Sequence, residues 1–203
     1  MFGLAYLVVF GLYLLISIGV VRWAISYARK NGKSAKRWGW GAAFVMYSIV
    51  FWDWIPTVAV HQYYCAKDAG FWVYKTLDQW KAENPGVMEG LRAPRSTGSP
   101  TKYEPFYNGH GRTDTYLLND RFNWIVIQQD IFRPLSIIRT EQQVKDVQKN
   151  EVPARYVDFS SGHSVTDRGV SLKFWLNIGN CPGGEHNQGL IYSFEHNIRG
   201  AGK

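Results

Sequence analysis

The chain has 203 residues, 46% of them hydrophobic and 16% aromatic, and a formal charge of +7. Six basic residues (Arg22, Arg29, Lys30, Lys33, Lys36 and Arg37) fall within the first 37 positions; setting them aside leaves 17 of the 23 Lys and Arg against 16 Asp and Glu. The remainder is therefore nearly neutral, which excludes a basic face that tracks phosphates and gives no call for a nucleic-acid partner.

Residues 1–21 contain no charged side chain. As a helix rising 1.5 Å per residue, about 20 such residues cover roughly 30 Å, the thickness of the hydrocarbon core. This predicts a first membrane span over about residues 2–28. A cleaved signal peptide would carry its basic residues before the apolar run and a small-residue cleavage site after it, and here the positive charge follows. A second span is predicted over about residues 38–60, with a basic loop at 29–37 containing Arg29, Lys30, Lys33, Lys36 and Arg37. Such loops resist translocation and meet anionic lipid, so the bend of the hairpin is expected in the cytoplasm. The N-terminus and everything after the second span are then expected in the periplasm of a bacterial inner membrane. Trp23, Trp38, Trp40, Trp52 and Trp54 read as an aromatic belt.

Asp53 interrupts the second span about 22 Å of helical rise from its inner end. A carboxylate there reads as an interfacial group that is hydrated or locally bonded, a contact to another subunit, or a proton or ion site. Pro56, which lacks an N–H, is expected to kink the helix. Both residues mark an intramembrane or interfacial contact.

The expected fold class is a membrane-anchored α+β protein, with the two-helix hairpin over residues 1–62 and a small domain over 63–203. In chain order, residues 66–70 read as a helix ending on Gly70 and 71–75 as a short strand. Thr76 and Gln79 form a capping box that starts a short helix through Glu83, stopped by Asn84-Pro85-Gly86. Residues 92–114 are rich in Pro, Gly, Ser, Thr and Arg and read as a long loop. Runs at 121–129, 135–148 and 154–159 read as strands of an antiparallel meander, with 135–148 also compatible with a helix. In the last run Tyr156 and Asp158 are expected on the face opposite Val157. Residues 170–177 read as a short amphipathic helix, followed by Cys181-Pro182-Gly183-Gly184, an aromatic tail and loose residues at 200–203.

Cys65 and Cys181 are the only cysteines. An even count in an oxidising compartment predicts a disulfide closing a loop of more than 100 residues. The alternatives are two free buried thiols and a metal set, in which His61 and Cys65 share a helix face at i, i+4 and Cys181 and His186 would complete four ligands. No C-x-x-C or H-x-x-x-H pair supports that set. His110 lies in a Gly-flanked turn, and His163 in Ser160-Ser161-Gly162-His163-Ser164 lacks the G-x-S-x-G elbow of a hydrolase. Arg112 with Asp114, and Asp167 with Arg168, read as turn ion pairs. No phosphate loop, dinucleotide fingerprint or haem motif occurs, and Cys181–Gly184 is not expected to open a helix, so no cofactor and no catalytic set are implied.

The stretches Trp52-Asp53-Trp54-Ile55-Pro56, Ala69 to Thr76 and Trp80 to Val87, with an echo at Leu172 to Leu176, are similar to a group of small uncharacterised proteobacterial membrane proteins. The resemblance implies an inner-membrane setting and brings no activity with it. The functional expectation is a non-catalytic accessory or scaffolding subunit of an inner-membrane complex, in contact with membrane lipid and other integral membrane subunits. The alternatives are a stand-alone envelope binding or exclusion factor, and a membrane-tethered metal-binding protein or enzyme.

Overall fold

The computed structural model describes residues 2–92, 99–107, 109–162 and 174–200. His163, residues 167 and 168, the first half of the helix expected at 170–177 and the tail at 201–203 lie outside the described residues. The chain divides into two compact units, residues 1–56 and 57–203.

In the first unit, α1 (Phe2–Lys30) is long and apolar enough to cross a membrane. It turns into α2 (Ala35–Phe51) through Gly32, whose φ of 64° is the left-handed conformation that glycine adopts without strain. The N–H of Lys33 bonds the carbonyl of Ala28 at 2.8 Å and that of Gly32 bonds Arg29, the two bonds of a Schellman cap. The basic loop of the sequence is thus a tight helix–helix turn. Small residues let α1 and α2 approach: Ala24, Ala28 and Gly39 are buried, and a Cβ on Gly39 would lie 3.0 Å from Ile25 Cγ1. Tyr27 lies 5.9 Å from the Trp23 ring and 5.6 Å from that of Trp38. Leu7, Leu12, Leu15 and Phe44 point outward and are more than half exposed.

The second expected span is not one continuous helix. It breaks at residues 52–53 into α2 and α3 (Trp54–Asp68), which are long and apolar enough to cross a membrane only when taken together. Pro56 accounts for the break, since it has no N–H for the carbonyl of Trp52 and its ring crowds that carbonyl. In the first turn of α3 the missing N–H costs nothing. Asp53 sits in the break and is fully buried.

The second unit is built on one six-stranded antiparallel sheet in the order β1-β6-β5-β4-β3-β2. Strands β2 (Lys102–Pro105), β3 (Gly111–Leu117), β4 (Phe122–Phe132), β5 (Ile137–Asp146) and β6 (Glu151–Ser161) form the meander, and β1 (Gly70–Val73) pairs with the far side of β6, placing Phe71 opposite Tyr156. The segment 135–148, ambiguous by pattern, is a strand because β4 and β6 bond both its edges. The long loop expected at 92–114 instead holds β2 and the start of β3. Their hairpin closes through Gly109 at φ 68°, with Phe106 N–H bonded to Gly111 O at 2.8 Å. β2 is a fully exposed edge ending on Pro105, where proline blocks further pairing.

The two sheet faces have different covers. Phe122, Trp124, Val144 and Tyr156 pack against Trp80 of α4 (Leu77–Glu83) and against Ile191 and Ile198 of α5 (Gly184–Gly200). Val157 and Phe159, on the opposite face, pack with Leu135, Val60, Tyr64 and Cys181. Tyr156 and Asp158 therefore do face away from Val157. The capping box of α4 is also present, with Gln79 N–H on Thr76 Oγ1 at 3.2 Å and Thr76 N–H on Gln79 Oε1 at 3.0 Å. α5 corrects the sequence reading of an aromatic tail: Gly184 opens a 17-residue helix whose Ile191, Phe194 and Ile198 meet the sheet. The described part of 170–177 holds only the short 3-10 turn Phe174–Leu176.

Candidate functional site at the junction of α3 and the sheet

On α3, Thr57, His61 and Cys65 recur every four residues and so share one face. Thr57 and His61 are buried. His61 Nε2 lies 3.0 Å from the carbonyl oxygen of Phe159 on β6. A carbonyl only accepts, so Nε2 is the donor of that bond. Tyr64 stacks on the ring of Phe159 at 5.4 Å between centroids. One turn past His61, Cys65 is joined to Cys181 by the expected disulfide, with Cα atoms 5.4 Å apart across 116 residues of sequence. Cys65 Sγ is 3.6 Å from His61 Nε2 and 3.8 Å from Nδ1. His61, Cys65 and Cys181 offer donor atoms within 4.8 Å of one another. His186 does not join them; it is exposed on the first turn of α5.

Asp158 holds the Cys181 side of the junction. Its Oδ1 accepts the N–H of Cys181 at 2.9 Å and that of Phe159 at 2.8 Å, and its Oδ2 accepts the Tyr156 hydroxyl at 2.7 Å. Burial first, then that hydrogen bond to a carboxylate, push the Tyr156 phenol far above its ordinary pKa, so it stays a donor. Gly184 is required beside it, because a Cβ there would come within 2.9 Å of Asp158 Oδ2. The segment Cys181–Gly184 does open a helix, contrary to the sequence reading. The carboxylate of Asp158 already lies at that helix start, where the positive end of the dipole favours an anion. Neither Asp158 nor the helix start carried a sequence signal as a pair, since 26 positions separate Asp158 from Gly184.

Two further polar clusters serve the sheet. Arg121 Nε contacts both carboxylate oxygens of the buried Asp146, at 3.2 and 3.0 Å, and its Nη2 donates to Asn84 Oδ1 at 3.0 Å. Burial pushes the Asp146 carboxyl up, but bonds from Trp80, the Lys149 N–H and Arg121 outweigh it and hold the group below its ordinary range. On the opposite face Glu141 pairs with Arg139 and Arg155 and accepts from Gln143 Nε2 at 2.5 Å. Here too burial is outweighed, and the Glu141 carboxyl is lowered. Arg112 and Asp114 are ion-paired at 3.2 Å, along strand β3 rather than in a turn. His110 lies 3.2 Å from Arg133 at the end of the β2–β3 hairpin.

No family model matches the chain, and neither a curated protein nor a solved structure matches it.

Proposed function

We propose that the chain is a non-catalytic accessory or scaffolding subunit of a bacterial inner-membrane complex, its N-terminus and residues 57–203 facing the periplasm. The observation that carries this reading is the Cys65–Cys181 disulfide. Disulfides persist in oxidising compartments, and the acid-free basic turn at 29–37 favours the cytoplasmic side, so the two features agree on one orientation. The buried carboxylates Asp146, Asp158 and Glu141 are engaged in holding strands, helices and turns together, which suits a rigid domain that presents a surface. Exposed aromatic residues at its sheet edges, Trp72, Tyr74, Tyr103 and Tyr107, offer anchors for a partner.

The test is extraction in mild detergent, native sizing and identification of co-purifying proteins, with reporter fusions after residue 203. A stable complex with an integral membrane subunit and an exported C-terminal reporter are expected. A lone monomer, or a reporter active only inside the cell, would overturn the reading.

One observation favours a second reading, a membrane-tethered metal-binding protein: the convergence of His61, Cys65 and Cys181. In the reduced chain His61 Nδ1 and two thiolates would give three ligands of the kind that Zn²⁺ takes. Metal analysis of protein purified with and without reductant separates the two, since the disulfide and a thiolate site exclude each other.

A further inference from the structure

We propose that the groove between α1 and α2 seats one anionic phospholipid, with its phosphate at Arg37 and an acyl chain lying along Ala24, Gly41 and Val45. The proposal rests on the reading of α1 as a membrane span. The groove has a volume of about 540 Å³, and Val20, Trp23, Ala24, Trp38 and Gly41 are among its walls. Arg37, Gly41 and Val45 follow one another at i, i+4 on α2, and Val20 and Ala24 do so on α1, so a charged mouth leads into an apolar floor along one line. The floor has room, since a Cβ on Gly41 would meet nothing within 4 Å.

The chemistry of the mouth selects the occupant. Arg29, Lys30, Lys33, Lys36 and Arg37 cluster around the turn, Arg22 lies further along α1, and the first acidic residue of the chain is Asp53. No carboxylate lies in that stretch, so an anionic headgroup is the group of complementary charge. Trp23 and Trp38 are 69% and 41% exposed beside the mouth, as indole rings are at headgroup depth. Basic pockets between membrane helices at the cytoplasmic surface take anionic headgroups. A helix from a second copy would suit the small floor residues equally, but it would leave Arg37 unbalanced at the rim.

The test uses the full chain in mild detergent, with palmitoyl-oleoyl phosphatidylglycerol or the matching phosphatidylcholine titrated in and retained lipid counted by native mass spectrometry. The wild type is expected to keep one phosphatidylglycerol about tenfold better than phosphatidylcholine. Arg37→Gln should bring the two lipids level, and Gly41→Leu, which fills the floor and keeps the charge, should weaken both. An unchanged far-UV helical signal in each variant verifies that the helices are formed. Equal retention of both lipids by the wild type overturns the proposal, as does undiminished phosphatidylglycerol in Gly41→Leu. A dimer that Gly41→Leu dissociates also overturns it and gives the groove to a second copy. A carbonate wash separates the two levels of failure: release from membranes sinks the spanning helix itself, while a retained but lipid-indifferent chain sinks only the seat.

Discussion

The indole N–H of Trp80 donates to Oδ2 of Asp146 at 2.9 Å, joining α4 to the end of β5 across 66 residues of sequence. Asp146 is fully buried, and its Oδ1 also accepts the N–H groups of Gln148 and Lys149, which shape the β5–β6 turn. One carboxylate thus fixes a helix, a strand pair and, through Arg121, the start of β4.

Trp80→Phe should keep most of the packing and lose the hydrogen bond. A destabilisation of about 1–3 kcal/mol is expected, the range for a buried acceptor left one partner short. Urea unfolding at neutral pH, followed by near-UV dichroism, measures it.

The lowered Asp146 and Glu141 carboxyls make stability depend on acid. A group whose folded pKa is depressed contributes stability above its unfolded value, near 4 for carboxylates. That contribution is lost as pH falls from there through the folded value. The urea midpoint of the wild type should therefore fall between pH 5 and pH 3, and Asp146→Asn should start lower and fall less steeply.

Glu141→Gln leaves Arg139 and Arg155 facing each other without their shared carboxylate. The expected cost is about 2 kcal/mol, less than for a fully buried pair because both guanidinium groups keep some hydration. A double-mutant cycle with Arg155→Gln should recover part of it, and additive losses would show that the pair does not interact.

Replacing Cys65 and Cys181 together by Ser should lower stability by up to about 4–5 kcal/mol, the loop-entropy value for a closed loop of this size. The thermal midpoint of the variant, compared with wild type under oxidising conditions, reads the loss. An unchanged midpoint would mean that the unfolded chain gains nothing from release of the bridge.

At the α1–α2 crossing, Gly39→Ala should weaken helix packing because of Ile25, whereas Gly41→Ala should not, since its Cβ has open space. Thermal stability of the detergent-solubilised chain compares the two.

Much of this was legible from local pattern. The apolar run of α1, the capping box at Thr76 and the alternation of Tyr156, Val157 and Asp158 each state their own structure within a few residues. The two cysteines foretold the bond because only one pairing exists. What stayed hidden depends on distant partners. The polar edge strand β2 reads as loop because it exposes both faces and gains its form only from β3. α5 carries Gly184, Gly189 and Gly200, poor helix formers, and is held by Ile191 and Ile198 on the sheet. The i, i+3, i+7 spacing of Ile191, Phe194 and Ile198 was the signal that could have revealed it. The kink expected from Pro56 is present, and it falls at Trp52 because the missing N–H and the ring act on the carbonyl four residues upstream.

The cystine has a consequence for damage. Every peptide bond from residue 66 to residue 180 lies inside the covalent ring that Cys65 and Cys181 close. A protease that nicks the polypeptide anywhere in that interval frees no fragment, because both new ends stay tethered through sulfur. The nicked molecule would migrate as a single band without reductant and as two with it.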